Sequence, residues 1–198
     1  MKSLKLKRKE VSICSDMHIG HDRDFIWKAR GYSSPEEHHE DMLYWLSYAI
    51  GTSTTCISLG DLTFKADVAM RKLIWPNIYN DSFKAILGNH DAKFIETCSL
   101  GDRNLGDAAM LKLDTNEVVV ISHYPMLEWP SAYHGAYHLH GHCHNNLAPE
   151  TYRARRMDCS TDCLIRIFGR PVADLDELLE YIDIRDVEHA EREPIISD

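Results

Sequence analysis

Five short polar stretches of this sequence hold residue types that bind metal ions. Carboxylate, imidazole and amide donors suit Mn²⁺, Fe or Zn²⁺, whereas thiolate-selective metals would require cysteine. Two of the stretches place donors two residues apart, and in an extended chain such side chains lie on the same face. The donors are Asp16 and His18 in "DMH", Asp61 in "GD", Asn89 in "GNHD", His123 in "SHYP", and His142 and His144 in "GHCH".

These seven donors are more than one catalytic ion needs. Two ions can share them if one carboxylate bridges both. A metal pair about 3.5–4 Å apart stabilises the attacking and the leaving oxygen in a displacement at phosphorus. A water shared by two ions also has a pKa lowered towards neutrality, so that hydroxide is available at neutral pH. The donor set therefore predicts hydrolysis of a phosphate ester.

Each polar stretch follows a run of apolar residues that is typical of a buried strand. The predicted strands are residues 10–16, 54–61, 82–91 and 135–144, with a hairpin at 110–125 that turns at Thr115 and Asn116. Helices are predicted at 33–50, at 66–79 with an end near Pro76, and at 174–183. Strands that alternate with helices indicate a layered α/β fold, in which binding sites lie at the carboxyl ends of the strands. The five polar stretches should therefore meet in one site.

The composition fits one soluble domain over residues 1–198. Acidic residues outnumber basic ones, 31 to 22, which argues against a large basic surface for duplex nucleic acid. No apolar run approaches the ~18 residues of a membrane span, and the basic start has no apolar core of a secretory signal. We therefore expect a cytoplasmic protein, or one in the host cytoplasm if it is phage-encoded. The six cysteines are then expected to be reduced, with Cys14, Cys56 and Cys98 in the core.

In combination, the five stretches resemble the signature of the calcineurin-like metallophosphoesterases over residues 11 to about 145. The wider motifs "DMHIGH", "RGY", "GNHD", "HYPM" and "HGHCH" are most similar to the small uncapped bacterial and phage phosphohydrolases. The resemblance implies an α/β fold, a two-sheet β-sandwich flanked by helices, with a dimetal site at the strand C-terminal edge. Family members that are protein phosphatases usually have Glu after "GNH" and an arginine-bearing turn after "GD". This chain has Asp91 and "GDLTFKAD" instead, which argues against protein phosphatase activity.

The resemblance also implies a role for each matching residue. His90 would stand beside the scissile phosphate, where it binds a phosphoryl oxygen or donates a proton to the leaving group. Asp91 could orient the His90 ring, although another carboxylate could do so equally well. The metal ligands are expected to be Asp16, His18 and His144 for the first ion, Asn89, His123 and His142 for the second, and Asp61 as the bridge.

We therefore expect a phosphodiesterase or phosphomonoesterase with two divalent ions, Mn²⁺ first and Fe, Zn²⁺ or Ni²⁺ as alternatives. The expected partner is a small or nucleotide-like phosphate ester, with no membrane and no strong binding of duplex nucleic acid. One alternative is a nuclease acting on single-stranded or damaged nucleic acid. Another is a non-catalytic metal-binding scaffold.

Several residues outside the ligand set could contact substrate. His21, Arg23 and Arg30 follow the first metal motif and are candidates for binding phosphate, although a solvated loop would explain them equally well. His38 and His39 lie in a polar helical turn and are expected at the surface. His140 shares a face with His142 and is expected just behind the ligands.

Overall fold

The computed structural model describes residues 1–64, 68–91, 100–148 and 151–192. Its strands are short and its two longest helices have 18 residues each. The strands are β1 Lys2–Leu6, β2 Val11–Cys14, β3 Thr55–Ser58, β4 Phe83–Ile86, β5 Asn104–Gly106, β6 Ala108–Leu113, β7 Val118–Ser122, β8 Tyr137–His140, β9 Arg156–Asp158 and β10 Val172–Asp174. The helices are α1 Asp24–Trp27, α2 Pro35–Thr52, α3 Val68–Ile78, α4 Thr161–Phe168 and α5 Leu175–Arg192.

The strands form two five-stranded sheets, which confirms the two-sheet α/β architecture. The first sheet has the order β10-β2-β3-β4-β5, with β2 to β5 parallel and β10 antiparallel at its edge. The second sheet has the order β1-β6-β7-β8-β9. In it β7, β8 and β9 are parallel, and β6 and β7 form the predicted antiparallel hairpin. The sheet strands that carry the five polar stretches thus run parallel within their own sheet.

The larger apolar core lies between the two sheets. Ile13 and Ile57 of the first sheet and Leu111 and Leu139 of the second belong to one buried cluster, together with Leu178 of α5. All of these side chains are fully buried. Burial of side chains from both sheets holds the sandwich together and fixes the position of the strand ends of one sheet relative to those of the other.

A second core lies under α2. Ser34 caps this helix, because its Oγ accepts a hydrogen bond from the Glu37 N–H at 3.1 Å, and Pro35 occupies the first turn as predicted. Met42 and Leu46 lie one turn apart on the buried face and pack in a cluster with Phe83 of β4. This packing holds α2 against the outer face of the first sheet.

One predicted helix end was correct to within two residues, and another was wrong. Pro76 lies inside α3 and does not end it, since the helix continues to Ile78. A proline so close to the carboxyl end removes only one N–H from the last turns. The final helix extends to Arg192, well beyond the predicted residue 183. Within the described ranges, no helix is long and apolar enough to cross a bilayer.

Two of the cysteines lie in the core, as expected. Cys14 and Cys56 are free and fully buried. The expectation for Cys98 falls outside the described residues.

The expectation that His38 lies at the surface was wrong, because its side chain is fully buried. It precedes Met42 and Leu46 at intervals of four residues, so it belongs to the buried face of α2. Its Nε2 accepts a hydrogen bond from Arg30 Nη1 at 2.9 Å. His39, by contrast, is half-buried, with its Nε2 3.3 Å from the carbonyl oxygen of His21.

The burial of His38 predicts acid sensitivity. Burial, and then the charge of Arg30, lower the pKa of His38 from 6.5 to about 3. As the pH falls below 6.5, the unfolded chain gains a proton that the folded chain does not, so stability is lost down to about pH 3. In this window one such group lowers the free energy of unfolding by up to ~1.4 kcal/mol per pH unit.

We expect His38→Gln to reduce this loss, since its amide oxygen can accept the same hydrogen bond without titrating. Urea unfolding of both proteins at pH 7 and pH 5 measures the effect. Identical pH dependence in the variant and the parent would contradict the assignment.

Candidate metal centre

The carboxyl ends of β2, β3 and β4 in the first sheet face those of β7 and β8 in the second, and the seven predicted donors follow these five strand ends. The structure brings six of the seven donors, all but Asn89, into three overlapping groups, one of which also contains His90. Within each group, the potential ligand atoms all lie within 4.8 Å of one another. The groups are Asp16, His18 and His144; Asp61, His123 and His142; and His18, Asp61 and His90.

The backbone at this edge adopts an uncommon conformation. Of the nine non-glycine residues with positive φ in the described chain, five are predicted metal ligands. Positive φ is unfavourable for residues with a Cβ, and such strain persists where the surroundings impose it, often at functional sites. The five are Asp16 at 54°, His18 at 49°, Asp61 at 51°, His142 at 70° and His144 at 48°.

Two glycines allow the donor loops to approach each other closely. A Cβ at Gly88 would overlap the Asp61 carboxylate, and a Cβ at Gly141 would overlap Ser15 Oγ and the Asp16 carboxylate. The glycines of "GNHD" and "GHCH" are therefore required by the packing of loops from different strands, in addition to any turn they form.

Asp16 joins the first loop to the last. Its carboxylate is fully buried and accepts hydrogen bonds from Ser15 Oγ at 2.6 Å and from the His142 N–H at 3.0 Å. Burial raises the pKa of Asp16 to about 6, with the charge of His144 acting in the opposite direction. Because burial disfavours the charged form of this carboxylate, a positive ion bound beside it would stabilise that form.

His144 is held by the ion pair of Asp162 and Arg30. Its Nδ1 donates to Asp162 Oδ2 at 2.6 Å, which leaves Nε2 directed towards His18 Nε2 at 3.2 Å and Asp16 Oδ1 at 3.6 Å. Burial opposes the ionisation of Asp162, but His144 and Arg30 together hold its pKa well below the usual range. A carboxylate behind a histidine fixes the ring and its tautomer, as commonly found behind metal-binding histidines.

Arg30 occupies the floor of the site, and all five of its N–H groups donate to protein atoms. Nε donates to Asp162 at 3.2 Å. Nη1 donates to the carbonyl oxygen of Met17 at 3.1 Å and to His38. Nη2 donates to Asp162 and to the carbonyl oxygen of Asp16, both at 2.8 Å. Its side chain is fully buried. The expectation that Arg30 binds substrate phosphate is therefore corrected, because no N–H remains for a substrate. Arg30 positions Asp162 and the first donor loop.

His123 is oriented in a similar way at the second group. Its Nδ1 donates to the carbonyl oxygen of Leu59 at 3.0 Å. Its Nε2 faces Asp61 Oδ2 at 3.4 Å and Asn89 Oδ1 at 3.1 Å. Burial would raise the pKa of Asp61, but its hydrogen bond and charge interaction with His123 outweigh this, and the pKa is lowered. Asp61 therefore lies between the two donor groups as an ionised carboxylate.

The donor set fits a pair of divalent cations. His18 is buried, and burial followed by the charge of Arg30 lowers its pKa to about 2. Its Nε2 faces His144 Nε2 and the carboxylates of Asp16 and Asp61. A neutral imidazole of this kind keeps a lone pair for a cation. Two buried carboxylates, Asp16 and Asp61, supply the negative charge that would balance it. Because Asp61 belongs to a different group from Asp16, the arrangement provides two neighbouring positions.

His90 and Asp91 lie in different environments. The His90 side chain is 38% exposed, and its Nε2 is 3.8 Å from Asp61 Oδ2. The Asp91 carboxylate is buried, and it accepts backbone N–H groups of Asp61 at 2.7 Å, Leu62 at 3.1 Å and Gly88 at 3.0 Å. The suggestion that Asp91 orients the His90 ring is therefore corrected. Asp91 instead holds the loop that presents Asp61.

An open cleft of about 820 Å³ lies over the donors. Phe25, which is 70% exposed, and Phe64 form one wall. His21 is buried between them, with its ring centroid 4.0 Å from that of Phe64 and 5.3 Å from that of Phe25. Arg23 points outward, with its side chain 69% exposed, and does not belong to the described lining of the cleft.

The opposite side of the cleft comes from residues that the motifs do not contain. Asn145 and Asn146 follow the last ligand, and Ile165 and Arg166 lie on α4. Together with Asp162, Phe25 and Phe64, they were missed because their spacing has no signature. Asp162 and Arg166 share a face of α4 at a spacing of four residues, but nothing in the sequence shows that α4 borders the site.

No protein-family model matches the chain, and comparison with the curated proteins gives no match. Among solved structures, the chain is similar to a protein of unknown function from Aquifex aeolicus, with a TM-score of 0.57 and 19% identity over 77% of this chain and 90% of that one. This likeness shows a shared fold.

Two weaker similarities carry no argument about function. One is to nuclease MPE from Pseudomonas putida, with a TM-score of 0.42 and 18% identity over 69% of this chain and 62% of that one. The other is to a conserved uncharacterized protein from Streptococcus pneumoniae TIGR4 described as a predicted phosphoesterase, with a TM-score of 0.36 and 12% identity over 68% of this chain and 62% of that one.

Proposed function

We propose that this protein is a hydrolase of phosphate esters that works with two divalent metal ions. The observation that carries the proposal is the pair of donor groups joined by Asp61. Each group includes a histidine, His144 or His123, whose Nδ1 donates to a fixed oxygen and whose Nε2 faces the carboxylates. Such a pair of sites serves displacement at phosphorus.

In this proposal, each ion is held by residues from both sheets. When bound, the ions would supply electrostatic stabilisation of the charge that develops at phosphorus and a source of hydroxide at neutral pH. Mn²⁺ is the proposed metal, since the donors are oxygen and imidazole nitrogen and include no thiolate. The proposed ligands are Asp16, His18 and His144 for the first ion, Asn89, His123 and His142 for the second, and Asp61 for both.

His90 is the residue proposed to act on the substrate. It lies at the rim of the cleft in contact with Phe64, so that a phosphate ester bound over the donors would pass beside its ring. Its ring centroid is 4.9 Å from that of Phe64 and 5.4 Å from that of His18, which limits how it can turn. From this position it would bind a phosphoryl oxygen or donate a proton to the leaving oxygen. His21 contributes indirectly, by supporting Phe25 and Phe64.

The shape and charge of the molecule favour a small ester. The cleft is open, so the second arm of a diester can leave it, and the aromatic wall suits an apolar or aromatic group on that arm. The formal net charge of −9 disfavours long polyanions. We propose a short phosphodiester, a nucleotide or an exposed phosphate end as the substrate class. Cleavage of single-stranded or damaged nucleic acid is the alternative.

Metal removal tests the proposal. We expect a chelator to abolish hydrolysis of bis-nitrophenyl phosphate or nitrophenyl phosphate, and Mn²⁺ to restore it. Measurement of both rates, with the metal content of the protein at each step, checks this. Hydrolysis that persists in metal-free protein would refute the two-metal proposal. Rapid cleavage of oligonucleotides, with both nitrophenyl esters untouched, would favour the nuclease alternative.

A further inference from the structure

A second cavity, of about 200 Å³, adjoins the cleft. The two share Asn145 and Arg166 in their linings, so a ligand can extend from one into the other. The second cavity lies between the loop after His144, the strand β9 and the helices α4 and α5. Its lining includes four arginines, which is notable in a chain with a net charge of −9: Arg153, Arg156, Arg166 and Arg185.

Arg156 is a buried cation that has no carboxylate partner among the described residues. It is 7% exposed, and its guanidinium donates to the carbonyl oxygens of Met126 and Thr151. No carboxylate of the described residues forms an ion pair with it, and burial, followed by the charge of Arg153, lowers its pKa. Buried charges are normally paired, because desolvation without a partner is costly. This arginine therefore points to an anion that occupies the cavity.

Two further arginines are available to the same anion. Arg153 and Arg166 are exposed, and neither is within ion-pair distance of a carboxylate in the part of the chain that the structure describes. Arg185 differs, since its Nη2 lies 2.7 Å from Asp186 Oδ1. The described lining also contains one carboxylate, Asp158, whose two oxygens accept the backbone N–H groups of Asn145 and Ser160. The excess positive charge of the cavity therefore comes from Arg153, Arg156 and Arg166.

His140 adds an independent sign of a ligand. Its side chain is fully buried and lines the same cavity. Its Nδ1 donates to the carbonyl oxygen of Gly141 at 2.9 Å, so Nε2 is left as an acceptor, and it has no partner among the described groups. Buried acceptors are normally satisfied. A ligand that fits this cavity would therefore carry a hydroxyl or N–H group next to its negative charge.

We propose that the second cavity holds a second phosphate of the substrate, so that the preferred substrate is a nucleotide-like ester with two phosphates. The inference rests on the proposed function. One phosphate would lie at the donor groups, and the other would be held by Arg153, Arg156 and Arg166. A sugar hydroxyl beside the second phosphate would satisfy His140. Arg166 follows Asp162 by four residues on α4, about 6 Å along the helix, which is within the span of one nucleotide.

Two matched substrates test the inference. Thymidine 5′-(4-nitrophenyl phosphate) has the scissile diester alone, and its 3′-phosphorylated counterpart adds only the second phosphate. We expect the parent protein with Mn²⁺ to show a kcat/KM about tenfold or more higher for the 3′-phosphorylated ester, mainly through KM. Arg153→Gln should reduce this preference about tenfold, and Arg153→Lys should retain part of it.

Lys112→Gln is the control for charge, because Lys112 is an exposed residue of β6, outside the lining of both cavities. It should keep the full preference. Equal kcat/KM for the two esters, or a preference that Arg153→Gln leaves unchanged, would overturn the inference while the proposed function stands. If neither ester is hydrolysed, the rates on bis-nitrophenyl phosphate and nitrophenyl phosphate decide the proposed function separately. Calorimetry then decides: tighter binding of thymidine 3′,5′-bisphosphate than of the 5′-monophosphate, lost in Arg153→Gln, supports the cavity, and equal binding refutes it.

Discussion

Asp61→Ala is expected to lose both metal ions and, with them, hydrolysis of nitrophenyl esters by on the order of 10³-fold or more. One carboxylate lies between the two donor groups, with Oδ2 3.4 Å from His123 Nε2 and 3.9 Å from His18 Nε2. Removing it takes a ligand from each position at once. It also removes the acceptor for the backbone N–H of His90, which donates to Asp61 Oδ1 at 2.8 Å. Metal content after dialysis, measured together with the rate, checks the result.

Asp81→Ala is the matched control, since Asp81 lies in a turn, does not line the cleft and has a fully exposed side chain. It should keep two ions and the parent rate. Comparing the thermal unfolding of Asp61→Ala and the parent, both in chelator, separates loss of metal from loss of fold. Two tightly retained ions in Asp61→Ala would exclude the bridging role.

His90→Ala is expected to lose about 10²–10⁴-fold in rate while it keeps both ions. The side chain is partly exposed at the cleft rim, so its removal leaves the buried donors in place. If His90 donates a proton to the leaving oxygen, the loss should be greatest for alkyl esters, whose alkoxides need the proton, and smallest for nitrophenyl esters. Rates for a series of leaving groups, with the metal content of each preparation, measure this.

His134→Ala is the control for His90→Ala, because His134 is exposed and does not line the cleft. Two results would change the assignment. An unchanged rate on every ester would remove His90 from the reaction. Loss of one ion would place His90 among the ligands instead, as its membership of a group with His18 and Asp61 would allow.

The sequence predicted the positions of the donors because each one follows a buried strand. β2, β3 and β4 are four-residue strands with mostly or wholly buried side chains, and their apolar runs are clear in the sequence. Once these strands are parallel neighbours, their ends must lie along one edge. The convergence of Asp16, Asp61 and Asn89 then follows from topology and needs no knowledge of side-chain packing.

The remaining parts of the site depend on contacts that the sequence does not record. Arg30 and Asp162 are 132 residues apart, and their pairing depends on how α4 packs against the first loop. The strands β5, β9 and β10 have only three residues each, too few for a period-two pattern to be recognised. The second cavity was not predicted because its arginines come from separate parts of the chain: a loop, a short strand and two helices.

The first strand of the described chain belongs to the second sheet, and the last strand belongs to the first sheet. β1 pairs with β6 in the second sheet, although β2 belongs to the first, and β10 returns from the far end of the chain to pair with β2. Neither half of the chain can therefore complete a layer without the other. A fragment that stops before Val172 would leave β2, whose four side chains are all buried, as an unprotected sheet edge open to pairing with other molecules. Self-association of such fragments, rather than independent folding of two halves, is the consequence of this strand order.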